Sequence, residues 1–342
     1  MSNTETIFLP LIEANNVKKR FNLEAGFFAQ LGRYVYAVNG LSFVIAENES
    51  YGLAGESGCG KTTAARLLVK MYNYDNGSIK FRGTDIGSFN KKDLVKYRQK
   101  VKYVFQDPAR SLNPRMSVLD ILVSGLRWTN SKEHPEEKTA KQLRQKAAAI
   151  LEEVGLSAAD LDRRPAEFSG GQRQRISIAR GLLAEPELLI CDEVVSALDV
   201  SIQAQILNLL MDIRRRRNIS FLFIAHDLKV ACWFCDRIGV MYRGEMMEEA
   251  PAADLYRTAF HPYTQLLFSS VLNSKTVSLP VQNSGSALHS SANLIKGEVH
   301  TTTKTIIGCA FAERCPDAFP RCFNEKPELR ETGNGHKVRC FK

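Results

Sequence analysis

The chain has 342 residues, 44% of them apolar and 24% charged. That composition excludes a disordered or collagen-like polypeptide and, at roughly 150 residues per domain, leaves room for about two domains. Lys and Arg exceed Asp and Glu by 46 to 37, for a formal net charge of +9. Such a balance suits an anionic partner (nucleotide, nucleic acid or a membrane face) and equally a basic surface kept for solubility. No apolar run approaches the ~20 residues of a membrane-spanning helix. Met1 to Pro10 lacks the basic start and apolar core of a secretion signal, so the eight cysteines are expected to be buried, reactive or metal-bound thiols rather than a disulfide scaffold.

From Leu11 to about Met247, short apolar runs alternate with helical patterns, the rhythm of an α/β fold. The apolar stretch Tyr51 to Ala54 leads into Gly55-Glu56-Ser57-Gly58-Cys59-Gly60-Lys61-Thr62, which matches G-x-x-x-x-G-K-[ST]. A helical run, Ala64 to Met71, follows after Thr63. This strand–loop–helix context is the one the motif requires, because glycines let backbone N–H groups turn inward around phosphates at a helix N-terminus. Lys61 would neutralise the β- and γ-phosphates, and the Thr62 hydroxyl would ligate Mg²⁺. Residues Arg115 to Leu161 read as mostly helical, with good helix formers from Lys138 to Val154, and form a helical lobe inserted between strands.

Leu188 to Cys191 and Phe221 to Ala225 are continuously apolar, as expected of parallel strands covered on both faces. Asp192-Glu193 ends the first of them, where an Asp can hold Mg²⁺ through water and a Glu can polarise an attacking water. Between Val200 and Arg217, Ile202, Ile206, Leu209, Leu210 and Ile213 share a helical face. Arg214 to Arg217 read as a solvated helix end rather than a nucleic-acid patch. Cys232-Trp233-Phe234-Cys235 is a C-x-x-C sequence, read as a buried helix face and not a redox pair. Asn273 to Lys304, rich in Ser, Thr, Asn and Gly, reads as a linker. Beyond it Cys309, Cys315, Cys322 and Cys340 are spaced C-x5-C-x6-C-x17-C, a set suited to Zn²⁺ or an iron–sulfur cluster.

Phe168-Ser169-Gly170-Gly171-Gln172-Arg173-Gln174-Arg175 resembles the signature of ATP-binding cassette (ABC) ATPases, and the other cassette motifs stand in order around it. Gln106 in Val104 to Pro108 resembles the Q-loop glutamine, Ser196-Ala197-Leu198-Asp199 the D-loop, and His226 in Ile224 to Asp227 the switch histidine. The resemblance implies a P-loop NTPase fold with a RecA-like core and an inserted helical subdomain at about 107–180. Residues 1–272 would form the nucleotide-binding domain, 273–304 the linker and 305–342 a cysteine module.

By the same resemblance two cassettes sandwich two ATP molecules, with Ser169, Gly170, Gly171 and Gln172 of one facing the γ-phosphate held by Lys61 of the other. Glu193 is then the general base, His226 a γ-phosphate contact, Gln106 and Asp192 partners of Mg²⁺, and Asp199 the D-loop acid. Tyr34 is the expected adenine-stacking ring, with Tyr36 its rival. Val194-Val195 departs from the Pro-Thr usual after the acidic pair.

Arg110 to Pro114, Asp199 to Leu207 and His261-Pro262-Tyr263-Thr264 resemble the dipeptide/oligopeptide importer ATPases, as does the cysteine tail. This implies a second cassette (homologous or identical), two transmembrane permeases, an extracytoplasmic solute-binding protein and no nucleic acid. It also implies a peripheral place on the cytoplasmic face of a bacterial inner membrane. For the four cysteines it favours a [4Fe–4S] cluster over Zn²⁺ and over free thiols, in a tail too short to bury much core by itself. The Pro-Ser-Pro stretch that often precedes Gly-Cys in that family is replaced here by His300 to Lys304.

Overall fold

The structure, a computed structural model, describes residues 9–22, 34–127, 140–196, 198–272 and 307–342. The expected linker, 273–304, lies outside the described residues. In chain order, β1 (Ile12–Asn22), β2 (Tyr34–Ile45) and β3 (Ser50–Ala54) precede α1 (Lys61–Leu68). The hairpin β4 (Asn76–Phe81) and β5 (Thr84–Asp85) leads to α2 (Lys91–Lys100) and β6 (Val101–Val104). A helical stretch follows: α3 (Pro108–Ser111), α4 (Val118–Arg127), α5 (Ala140–Glu153) and α6 (Gly170–Leu182). The chain re-enters the sheet with β7 (Leu188–Asp192), α7 (Val200–Arg217), β8 (Ser220–Ala225), α8 (Leu228–Phe234), β9 (Arg237–Tyr242) and β10 (Glu245–Pro251). Then come α9 (Ala252–Arg257), α10 (Pro262–Leu272), α11 (Pro320–Asn324), β11 (Arg330–Gly333) and β12 (His336–Val338).

The main sheet runs β11-β12-β10-β9-β3-β8-β7-β6, with β9, β3, β8, β7 and β6 parallel. Its strands obey the period of two. Leu53, Leu188, Ile190, Leu222 and Ile224 face α1 and the antiparallel layer β2-β1-β4-β5, whereas Leu189, Cys191, Phe221 and Phe223 face the core that α6, α7 and α8 close. Both faces are therefore covered, which is why these strands carry no polar alternation. The inserted lobe is present, and within it Arg180 of α6 holds α3 by donating to the Ser111 carbonyl at 2.7 Å. The fold is the α/β P-loop cassette that the motif order implied.

The cysteine tail is not held by its linker alone. β12 pairs antiparallel with β10, Glu248 opposite Val338, and β11 adds an exposed edge strand. β10 carries three buried carboxylates, each of them partnered. Glu245 accepts from Asn39 and Lys326, Glu249 pairs with Arg237, and Glu248 accepts from His336 Nε2 at 2.7 Å. A strand this acidic reads as exposed in the sequence; its partners, drawn from both ends of the chain, are what allow it to be buried.

Candidate nucleotide site and cysteine cavity

Parallel pairing sets the register of the site. Ala54 of β3 lies beside Ala225 of β8, and Asp192 of β7 beside Ile224. The loops that leave these three strands thus converge at their carboxyl ends, where open α/β sheets bind ligands. They carry the phosphate-loop motif, Asp192-Glu193 and His226.

The loop from Gly55 to Gly60 opens into α1, whose N-cap is Gly60 at φ 110°. A Cβ on Gly60 would stand 2.0 Å from the Ala37 carbonyl oxygen, so only glycine fits between the loop and β2. Lys61 is 4% exposed and folds back to donate to the carbonyls of Gly55 and Glu56 at 2.7 and 2.9 Å. These bonds curl the loop around the ammonium, while Ser57 and Gly58 stay open to solvent. Cys59 is buried, 3.8 Å from Lys61 Nζ, and burial raises its thiol pKa. Thr62 Oγ1 donates to Asp192 Oδ1 at 3.1 Å. A hydroxyl and a carboxylate so placed are the hard oxygen donors Mg²⁺ requires.

Glu193 adopts φ 48°, the left-handed region that a non-glycine residue occupies rarely and that clusters at functional sites. Its carboxylate accepts from Gln106 Nε2 at 2.6 Å, which joins the loop after β6 to the end of β7. Val194 and Val195 are buried in the core. The segment behind them is fixed by Gln203, whose side chain donates to the Val195 and Leu198 carbonyls at 2.8 and 3.0 Å. The valines thus anchor this turn by burial. Asp199 caps α7 through its main chain and is exposed. His226, also exposed, shares a small cleft with Glu193, Ser196 and Gln203.

Ser169 and Gln172 form a reciprocal capping box at the start of α6, with bonds of 3.3 and 2.9 Å. A Cβ on Gly171 would press within 2.8 Å of Ile202, so this glycine lets α6 lie against α7. Tyr34 is covered by the Arg20 guanidinium at 4.4 Å, and Tyr36 stands opposite Arg20 in the β1–β2 register. Of the arginine run, Arg214 pairs with Asp236, and Arg216 and Arg217 with Glu153. Burial raises both thiols of the C-x-x-C sequence, Cys232 up to about 12; Cys232 lies on α8 and Cys235 caps its end.

Three contributors escaped the sequence reading. The Tyr103 hydroxyl donates to the second oxygen of Asp192; a lone tyrosine in the strand before Gln106 was its only signal. The Tyr263 hydroxyl accepts the Glu56 N–H at 2.8 Å. Arg314 grips the Glu56 carboxylate with two bonds of 2.7 and 2.9 Å. The tail therefore touches the phosphate loop directly.

Cys309, Cys315, Cys322 and Cys340 are all free, and all four line one cavity together with His261 and Phe311. Burial pushes the Cys315 thiol up to about 11, and its neighbours Cys309 and Cys340 act in the same direction. Among the described residues no group of three or more His, Cys, Asp or Glu side chains is placed to hold a metal ion. No helix among them is long and apolar enough to cross a membrane.

Residues 38–196 match the family described as "ABC transporter", and residues 247–322 the one described as "Oligopeptide/dipeptide transporter, C-terminal region". The oligopeptide transport ATP-binding protein AppF of Bacillus subtilis (strain 168) is 42% identical over 340 residues, covering 99% of this chain and 98% of its own. OppF of the same strain, also an oligopeptide transport ATP-binding protein, is 45% identical over 262 residues, covering 76% and 82%. The dimeric post-hydrolysis structure of the ATP-binding cassette MJ0796 bound to ADP and Pi superposes with a TM-score of 0.61 at 25% identity, over 70% of this chain and 98% of that one.

Proposed function

The chain belongs to the ABC transporter ATPases, in their oligopeptide branch, and from that premise we propose how its residues work. It is the ATP-hydrolysing subunit of a peptide importer, not an ATPase that acts on nucleic acid. The observation that carries the residue assignment is Glu193, left-handed at the end of β7 and tied to Gln106, beside the Thr62–Asp192 pair. Backbone N–H groups of Gly55 to Thr63 cradle the phosphates, and Lys61 releases its carbonyl partners to neutralise them. Thr62, Asp192 and Gln106 hold Mg²⁺, which when bound supplies positive charge against the phosphate oxygens. Glu193 takes a proton from the attacking water and His226 contacts the γ-phosphate, so that positioning and charge stabilisation supply most of the acceleration. Tyr34 stacks on the adenine in place of the Arg20 guanidinium.

Ser169, Gly170, Gly171 and Gln172 serve the ATP of a second cassette, identical or homologous, with Asp199 at that interface. The exposed, capped helix start supports this, as does the dimeric state of the MJ0796 cassette. Two permeases and an extracytoplasmic solute-binding protein complete the importer, with this subunit peripheral on the cytoplasmic face of the inner membrane. Residues 1–272 act as the nucleotide-binding domain and 305–342 as the cysteine module.

The four cysteines are assigned to a [4Fe–4S] cluster, a group that supplies one-electron chemistry when bound. What supports this reading is that the four free thiols line one cavity, a donor set that Zn²⁺ could use as well. ATP hydrolysis transfers no electrons, so the cluster's role there is structural or sensory.

The test of the catalytic reading is Glu193→Gln. The variant should bind MgATP with wild-type affinity and dimerise on it, while hydrolysis falls by about 10²–10⁴-fold. Normal turnover would remove Glu193 from the mechanism.

A further inference from the structure

Within Gly55 to Thr63 the charged residues are Glu56 and Lys61, one of each sign. A loop that receives a polyphosphate is weakened by a carboxylate of its own, which repels the ligand and offsets the lysine. Glu56 is not left to do so. Arg314 donates to both of its oxygens, at 2.7 and 2.9 Å, the forked geometry that makes arginine–carboxylate pairs strong. The two side chains are 18% and 22% exposed, so water and salt screen the pair only in part. With Arg314 counted, the loop regains the net positive charge that Lys61 alone would give it.

The tail aims this arginine. Arg314 ends the short turn Ala312–Arg314. Phe311, just before that turn, is fully buried against Tyr242 and Tyr263, with ring centroids 5.3 and 5.2 Å apart. Every polar group of Glu56 is thereby held: its N–H by the Tyr263 hydroxyl, its carboxylate by Arg314 and its carbonyl by Lys61. Lys61 must leave that carbonyl to meet a phosphate. Tyr263 and Arg314 are the holds that remain.

We infer that Arg314 is a positioning residue of the nucleotide site, which neutralises Glu56 and keeps the phosphate loop in shape while Lys61 turns to the triphosphate. The inference rests on the phosphate-loop reading above and adds to it a cation supplied from 258 positions away. Arg314 acts through Glu56 and touches no phosphate itself. The tail is on this account part of the nucleotide site, and its first task there is electrostatic.

The test titrates the full-length protein calorimetrically with the magnesium complex of a non-hydrolysable ATP analogue. Arg314→Ala should weaken binding about three- to tenfold. Adding Glu56→Gln to that variant should recover most of the loss, because the charge that Arg314 balances is then gone. A double variant as weak as the single one would overturn the inference, since a mere staple between tail and loop is lost in both. An Arg314→Ala protein that binds as wild type does would overturn it too. If Arg314→Ala does not fold, Arg314→Gln, which keeps a long side chain against Tyr242 without the charge, takes its place with the same two outcomes. Wild-type protein that fails to bind the analogue would instead remove the phosphate-loop reading, and this inference with it.

Discussion

The phosphate loop and the cysteine cavity touch at Glu56, yet they are built in opposite ways. Loop residues Gly55 to Thr63 are contiguous, and their phosphate-binding donors are main-chain groups aimed by one strand and one helix. The cavity is lined from His261, from Cys309 to Cys322 and from Cys340, pieces up to 79 positions apart that the β12–β10 pairing and the packing of Phe311 on Tyr242 and Tyr263 help bring together. Backbone chemistry can be specified by eight consecutive residues. Side-chain chemistry gathered from distant segments depends on everything that folds between them. The two meet because Tyr263 and Arg314 hold the main chain and the carboxylate of the same residue, Glu56.

The largest effect is expected where the loop has no slack. Gly60→Ala adds a Cβ into the Ala37 carbonyl at a positive φ, and ATP affinity should fall by about a hundredfold or more in a calorimetric titration, since displacement of about 1 Å suffices for such a loss. Ser169→Arg should leave that affinity intact while abolishing cooperative ATPase activity, because a bulky cation would fill the place of the opposing γ-phosphate. Retained cooperativity would refute the composite site.

Arg314→Ala probes the join between the two regions. It removes two charge-assisted bonds to Glu56, and because the pair is partly exposed the cost is moderate. ATP affinity should drop about three- to tenfold, and Arg314→Lys should recover only part, lacking the planar fork. Unchanged affinity in Arg314→Ala would show that the loop and the cavity operate independently. The smallest effect should be that of Tyr103→Phe, which frees one oxygen of Asp192. The Mg²⁺ concentration for half-maximal ATPase should shift by about threefold, with the melting temperature nearly unchanged.

The linker expectation for 273–304 rested on composition, which carries no information about strand pairing or about the contact that Arg314, beyond it, makes with Glu56. β11, Arg330-Glu331-Thr332-Gly333, has no apolar position, so its place at the sheet edge could not be read from periodicity. β10 misleads in the same manner, because Glu245, Glu248 and Glu249 are buried only against partners supplied elsewhere. By contrast α7 runs from Val200 to Arg217 as its apolar face indicated, and β7 and β8 coincide with the continuous apolar runs to within one residue at each end.

Sequence by itself determined the phosphate loop, the capped signature helix, the order of the cassette motifs and the two buried strands. Each is a local pattern in which neighbouring residues, through φ/ψ preference, capping or periodicity, already contain their own physics. Only the tertiary structure decided that Gln106 reaches Glu193, that Tyr103 shares Asp192 with Thr62, and that Arg314 and Tyr263 converge on Glu56. It likewise decided that His261 joins four cysteines around one cavity. These pairs are separated by 87, 89, 130, 258 and 207 positions along the chain, and groups so distant are brought within hydrogen-bond reach by sheet register and packing, which no local pattern records.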